Sequence, residues 1–408
     1  MFEKIKNLIE NAREDVIELQ SLLVSIPALA PESGGEGEMR KCEALVEYLR
    51  RKNFPEPEFY HAPDNRVPGG KRPNLLYRIK GRNDSRRVWI MSHLDIVPAG
   101  ELSLWKSDPF KLRVDGDRIY GRGVEDNHQG MVASILAAKA FIDLRIAPEY
   151  DLCLLLVADE EVGSEYGIKY VLENHSLFSR DDLIIVPDSG EPDGAAIEVA
   201  EKSIMWLKVV TRGVQAHGSR PDLGRNAFRA ASNLVVKLEE LYKKFDRKDE
   251  LFQPPYSTFE PTKKEPNVPN VNTIPGDDVF HVDCRVLPGI PLLEVESAIR
   301  LWANEIERKY DVTIEFAFSQ KAEAAPPTSV DSPVVRALSE AIKTVYKVDP
   351  RPYGIGGGTV AALFRRAGYE AAVWSKLNEV AHQPNEYALI SNIIGDALVF
   401  SHVCLNRI

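Results

Sequence analysis

Val88-Trp89-Ile90-Met91-Ser92-His93-Leu94-Asp95 is the stretch that decides the fold. Its first four residues form a short apolar run, the pattern of a strand buried on both faces. Its last four turn at once to an imidazole and a carboxylate. The same change recurs twice. Residues 152–158, almost wholly apolar, run into Asp159-Glu160-Glu161, and Leu183-Ile184-Ile185-Val186 runs into Pro187-Asp188. In an open α/β sheet, ligands bind in the crevice beyond the carboxyl ends of the strands. Three strands ending in metal-capable side chains therefore predict one acidic, His-bearing site along that edge, with the composition of a divalent-metal centre.

Outward from these strands, strand patterns at 74–79, 88–91, 152–158 and 183–186 alternate with helix patterns at 131–142 and 167–173. This predicts an α/β fold with a mainly parallel sheet between helices. Upstream, Ile5, Leu8, Ile9, Val16, Leu19, Leu22 and Leu23 fall at helical spacing and predict one helix over 2–24, stopped by Pro27. A Gly/Glu-rich loop at 32–38 leads to a second amphipathic helix ending near Arg51.

The middle of the chain differs. Strands are predicted at 204–211, 279–286 and 312–318, helices at 226–242 and 292–309, and a Pro-rich surface loop at 253–275. A strand–helix–strand–strand–helix–strand layout predicts an inserted α+β, ferredoxin-like unit. A linker at 322–332, a helix at 333–346, a Gly-rich turn at 354–358 and a helix near 390–405 then complete the first unit. The expected division is 1–202, 203–320 and 321–408.

At 408 residues the chain exceeds the roughly 250–300 at which single cores tend to split. With 44% hydrophobic and 27% charged residues it has the composition of a soluble globular protein. A net charge of −10 argues against nucleic acid or anionic membrane as partner, and a bound cation would neutralise part of it. Cys42, Cys153, Cys284 and Cys404 are too scattered for a zinc knuckle or redox motif, and Cys153 reads as core. The expected compartment is the reducing cytoplasm. The N-terminus, with Lys, Glu and Asn among its apolar residues, does not read as a signal peptide. No apolar run approaches the roughly 20 residues of a membrane span.

Within the predicted site, His93 and Asp95 are two apart and share a face of an extended chain. The plain alternative is a buried histidine beside a loop-capping aspartate. Asp126 lies in a Gly-punctuated loop, 120–127, ahead of a helix; alone it would read as the helix N-cap. His128 beside it has no evident role. Glu160 and Glu161 are adjacent and point different ways, so one can ligate metal while the other faces a water. Asp188 follows its strand in the same manner, and His382, in the polar loop 379–386, is the candidate second imidazole. His93, Asp126, Glu161, Asp188 and His382 suit zinc, with cobalt or manganese as alternatives. One carboxylate bridging two ions would give a two-metal site that polarises a carbonyl and activates water.

These residues, in this order, resemble the dinuclear zinc hydrolases that include acetylornithine deacetylase, succinyl-diaminopimelate desuccinylase, aminoacylase, carboxypeptidase G and cytosolic dipeptidases. The matching stretches span essentially the whole chain: SHLDIVP (92–98), YGRGVEDNHQG (120–130), ADEEVGSEYG (158–167), VPDSG (186–190), RGVQAHGSRPDLGRNA (212–227), NVNTIPG (270–276), DCRVLP (283–288), GGGT (356–359) and AHQPNE (381–386). The resemblance implies His93 and Asp188 on one metal, Glu161 and His382 on the other, and Asp126 between them. It implies that Asp95 steers His93, that Glu160 is the general base, and that His217 stabilises the oxyanion, typically from the partner subunit of a homodimer. Asn272 resembles a residue reaching the substrate. Arg285 and the backbone at Gly357, Gly358 and Thr359 resemble groups that hold a substrate carboxylate. The insert corresponds to the family's lid and dimerisation domain, and the flanking parts to its catalytic domain.

The activity implied is hydrolysis of the amide bond of N-acyl amino acids or short peptides. Two departures bear on substrate. Asp188 stands where deacylases usually carry Glu and the family's dipeptidases and aminopeptidases usually carry Asp. The Gly-Gly-Thr turn continues Val360-Ala361-Ala362, without the Asp and Arg frequent in desuccinylases. Asp188 therefore favours a dipeptidase or aminopeptidase as the alternative. A catalytically dead, ligand-binding or scaffold relative is disfavoured, because the base and every ligand position are filled.

Overall fold

The computed structural model describes residues 1–407. It separates into two compact units, Met1–Val199 with Thr328–Tyr353 and Thr359–Ile408, and Ala200–Pro327 with Gly354–Gly358.

The first unit is built on an eight-stranded sheet whose central four strands are parallel neighbours, in the order Tyr150–Val157, Asn83–His93, Leu183–Val186 and Ala371–Val373. The flanks include antiparallel strands at Leu75–Ile79 and Ala196–Glu201. Every residue of Tyr150–Val157 and of Leu183–Val186 is buried, as a strand covered on both faces requires. The sheet is covered by helices that include His128–Leu144 and Ile390–Leu405, both buried along most of their length and packed against each other. Their sequences are apolar all round, which only an interior helix tolerates.

Register decides where the chemistry lies. His93 pairs with Val157, so the Asp159–Glu161 segment begins beside it. Ile90 pairs with Ile185; continuing that parallel register brings Asp188 level with His93. The three acid-bearing strand ends share one edge.

Three expectations need correction. The N-terminal helix is two, Phe2–Glu10 and Arg13–Ser25, broken at Asn11 and Ala12. The helix at 226–242 is likewise two, Ala227–Lys237 and Glu240–Lys244. The Pro-rich loop contains a strand, Thr258–Lys264, at the edge of the second unit's sheet. Pro261 is tolerated there because an edge strand has a row of amides that need no partner.

That strand completes the ferredoxin-like layout of the second unit. Its four antiparallel strands run in the order Thr258–Lys264, Asp277–Val286, Ser203–Arg212, Thr313–Ala322. Alternate residues of Ser203–Arg212 and Asp277–Val286 are buried. Met205, Leu207, Val209, Phe280 and Val282 form a core with Ala230, Leu234, Val295 and Ile299 of helices Ala227–Lys237 and Leu292–Tyr310. All four cysteines are buried and free. Among the described residues no helix is long and apolar enough to cross a membrane.

Candidate metal centre

The strand ends and two loops of the first unit bring five side chains together. His93 Nε2 lies 3.1 Å from Asp126 Oδ1 and 3.3 Å from Asp188 Oδ1. His382 Nε2 lies 3.0 Å from Asp126 Oδ2 and 3.2 Å from Glu161 Oε2. Donor atoms within each triad, His93–Asp126–Asp188 and Asp126–Glu161–His382, lie within 4.8 Å of one another. Asp126 is common to both. It is not the N-cap of the following helix, a position held by Asn127.

The supporting contacts explain why these side chains converge. His93 Nδ1 lies 3.0 Å from the Asp95 backbone carbonyl; donating there leaves Nε2 free to face the carboxylates. The Asp95 carboxylate lies 3.5 Å from the same ring and accepts the backbone N–H groups of Glu160 and Glu161 at 3.1 and 3.0 Å. One buried acid thus links two strand ends. Asn127 Nδ2 donates to Asp188 Oδ1 and to the Pro187 carbonyl at 2.6 and 2.8 Å. Gly130 lets the helix approach this strand end, since a Cβ there would sit 2.6 Å from the Pro187 carbonyl oxygen.

Charge is unbalanced, with five carboxylates, from Asp95, Asp126, Glu160, Glu161 and Asp188, around two imidazoles. Burial disfavours the His93 imidazolium, yet Asp188, Asp126 and Asp95 outweigh it and raise its pKa well above the ordinary value. Hydrogen bonds to Asp126 and Glu161 raise His382 to about 10. Burial works against the charge on Asp126, but His382 and His93 hold it below the ordinary carboxylate range. Burial, then Asp188, push Glu160 well above that range, against the opposing effect of His93. The cluster draws in positive charge. Glu161 Oε1 is buried without a hydrogen-bond partner among the described residues. An orphaned carboxylate oxygen, two imidazoles and a shared aspartate fit the binding of divalent metal.

The other sequence-predicted residues are divided between the two units. His217, exposed, and Asn272 are neighbours in the second unit, where Ala216–His217 pairs with Thr273–Ile274 and Gly218 N–H donates to the Asn272 carbonyl at 2.6 Å. His217 Nδ1 lies 2.8 Å from Ser219 Oγ. Arg285, in the same unit, is held bidentately by Asp283 at 2.7 and 3.0 Å and donates to the Gly356 carbonyl at 2.8 Å, next to Gly357 and Gly358. Thr359 belongs to the first unit, its Oγ1 donating to Glu198 at 3.3 Å. Sequence reasoning missed Asn127, Glu125 and Glu386. All three stand inside the matching stretches, beside or four residues from a candidate ligand, and that adjacency was the available signal. His128, without an evident role in the sequence, is buried with Nε2 2.9 Å from Lys41 Nζ.

A sheet edge bearing two donor triads that share a carboxylate suits metal-assisted hydrolysis, and the family matched by the sequence narrows this to hydrolases of amide or peptide bonds. Residues 89–406 match peptidase family M20/M25/M40, and the chain belongs to that family, which implies divalent metal ions. An uncharacterized metallohydrolase of Methanococcus maripaludis is 43% identical over 410 residues, covering 95% of this chain and 98% of that protein. A succinyl-diaminopimelate desuccinylase of Sulfurovum sp. is 25% identical over 389 residues, covering 93% and 95%. Among solved structures, human carnosine dipeptidase 1 shares the fold, with a TM-score of 0.71 at 17% identity over 99% of this chain and 98% of that one.

Proposed function

We propose that this protein hydrolyses the amide bond of N-acyl amino acids or short peptides, with a divalent ion in each triad, zinc before cobalt or manganese. The observation that carries this is the sharing of Asp126 between the triads. His93, Asp126 and Asp188 would hold one ion, and Asp126, Glu161 and His382 the other. Ions held there would polarise the amide carbonyl and acidify a water. Glu160, on the segment fixed by Asp95, takes the proton of the attacking water and returns it to the leaving nitrogen. Arg285 and the Gly357–Thr359 backbone hold a substrate carboxylate, and Asn272 contacts the substrate.

Asp188 favours a dipeptidase or aminopeptidase as the second reading, on the family resemblance. A panel of N-acetyl and N-succinyl amino acids against free dipeptides, each with zinc, cobalt and manganese, separates the two. Faster cleavage of free dipeptides would replace the deacylase assignment.

His217, in the second unit, donates a hydrogen bond to the developing oxyanion, from the partner copy of a cytoplasmic homodimer. His217→Ala is expected to lower the turnover number by ~10²–10³-fold, the range for loss of one such donor, with metal content unchanged. Mixing His217→Ala with Glu160→Gln chains should restore part of the activity, because one site of the mixed dimer then has both groups. No recovery after confirmed subunit exchange would place the histidine in its own chain's site or outside catalysis.

A further inference from the structure

We infer that Glu125 and Glu386 form a reciprocal brace between the loops carrying Asp126 and His382, and that this brace sets how tightly an ion is held by Asp126, Glu161 and His382. The inference rests on the proposed metal assignment. Neither glutamate belongs to a donor triad, and both are almost completely buried.

Each glutamate sits on one loop and binds the backbone of the other. Glu386, four residues beyond His382, accepts the backbone N–H groups of Gly123, Glu125 and Asp126 at 3.0, 2.9 and 3.2 Å. Arg122 Nη1 donates to it at 2.7 Å, and Arg122 Nη2 donates to the His382 carbonyl at 3.3 Å. In return Glu125, next to Asp126, accepts the backbone N–H groups of Asn378 and Val380 at 2.5 and 2.6 Å. Pairing of Arg118–Tyr120 with Tyr387–Leu389 extends the junction on its outer side.

The chemistry requires carboxylates. Three amide donors and a guanidinium converge on Glu386, and an ionised carboxylate offers only acceptors. A glutamine would turn its NH₂ toward one of those donors. Burying the charge is costly unless such charge-assisted bonds compensate it. The loop that receives Glu125 also holds Glu379, His382 and Asn385 in the left-handed region, at φ of 59°, 63° and 62°. A backbone in that region persists where surrounding contacts over-determine it. With the amide of Asp126 fixed by Glu386, Oδ1 faces His93 and Oδ2 faces His382. Loosening the brace therefore affects both triads through Asp126, but disturbs the His382 triad twice.

Glu386→Gln and Glu125→Gln, made separately in the full chain, test this by stepwise zinc titration of the metal-free protein against a competing chelator. Wild type should bind two ions. In each variant one step should weaken by ~10–100-fold, the usual effect of removing a group that orients a ligand, and the other should change less. Ile9→Ala, a core truncation in the first helix, controls for lost stability and should leave both steps unchanged. If Glu386→Gln does not fold, Glu125→Gln alone decides. Unchanged steps in the variants, equal weakening of both steps, or a loss matched by Ile9→Ala would overturn the brace while leaving the metal assignment intact. A wild-type chain that binds fewer than two ions would instead remove the metal assignment and the inference with it.

Discussion

Glu160→Gln is expected to remove nearly all turnover while leaving metal content and fold intact. The amide matches the carboxylate in shape but cannot accept the water's proton, and loss of a general base typically costs ~10²–10⁴-fold. The substitution is also mild for the scaffold. Glu160 lies outside both triads, and its backbone N–H, not its side chain, provides the bond to Asp95. Steady-state kinetics beside elemental analysis of the same preparation checks both halves. Near-normal activity with full metal would remove Glu160 from the mechanism.

Asp126→Ala should do the opposite, emptying the site. Its two oxygens lie 3.1 and 3.0 Å from the two histidine Nε2 atoms, so one truncation withdraws a donor from each triad. Occupancy of both ions should fall and activity should drop below detection, whereas His382→Ala should cost mainly one ion. Chelation of the wild type should abolish activity, and added zinc, cobalt or manganese should restore it. A wild-type chain saturated and fully active with one ion would rule out the paired arrangement.

The strand ends were the most legible part of the chain, because a continuous apolar run closed by an acid marks a buried strand reaching the rim of its sheet. His93, Glu161 and Asp188 could be placed on one edge from that pattern alone. Asp126 and His382 could not. They sit on irregular loops, where local pattern carries little information: residue type made them candidates, and the resemblance gave them their roles. Asp95 was expected to serve His93, whose ring lies 3.5 Å from its carboxylate; its bonds to the amides of Glu160 and Glu161 were not foreseen. Such a contact between loops distant in sequence leaves no periodic trace. Pro261 hid the strand Thr258–Lys264, since proline signals a break except at an edge. Ala196–Glu201 and Ala371–Val373 were missed for another reason. One carries the acids Glu198 and Glu201 inside the sheet, and the other is only three residues long.

The order of segments has a consequence for synthesis. The strand Ala371–Val373 pairs with Leu183–Val186, and His382 follows it, after the whole of the second unit has been made. At the ~5–20 residues per second typical of translation, a nascent chain carries His93, Asp126, Glu161 and Asp188 for roughly 10–40 seconds before their last companion is made. During that interval the acidic edge is open, and the strand Leu183–Val186 lacks its neighbour on one side. The second unit, with a core of its own, has the means to fold in that window. On the proposed assignment, the Asp126–Glu161–His382 triad is the later of the two donor sets to be assembled, because His382 is the last of the five side chains to be made.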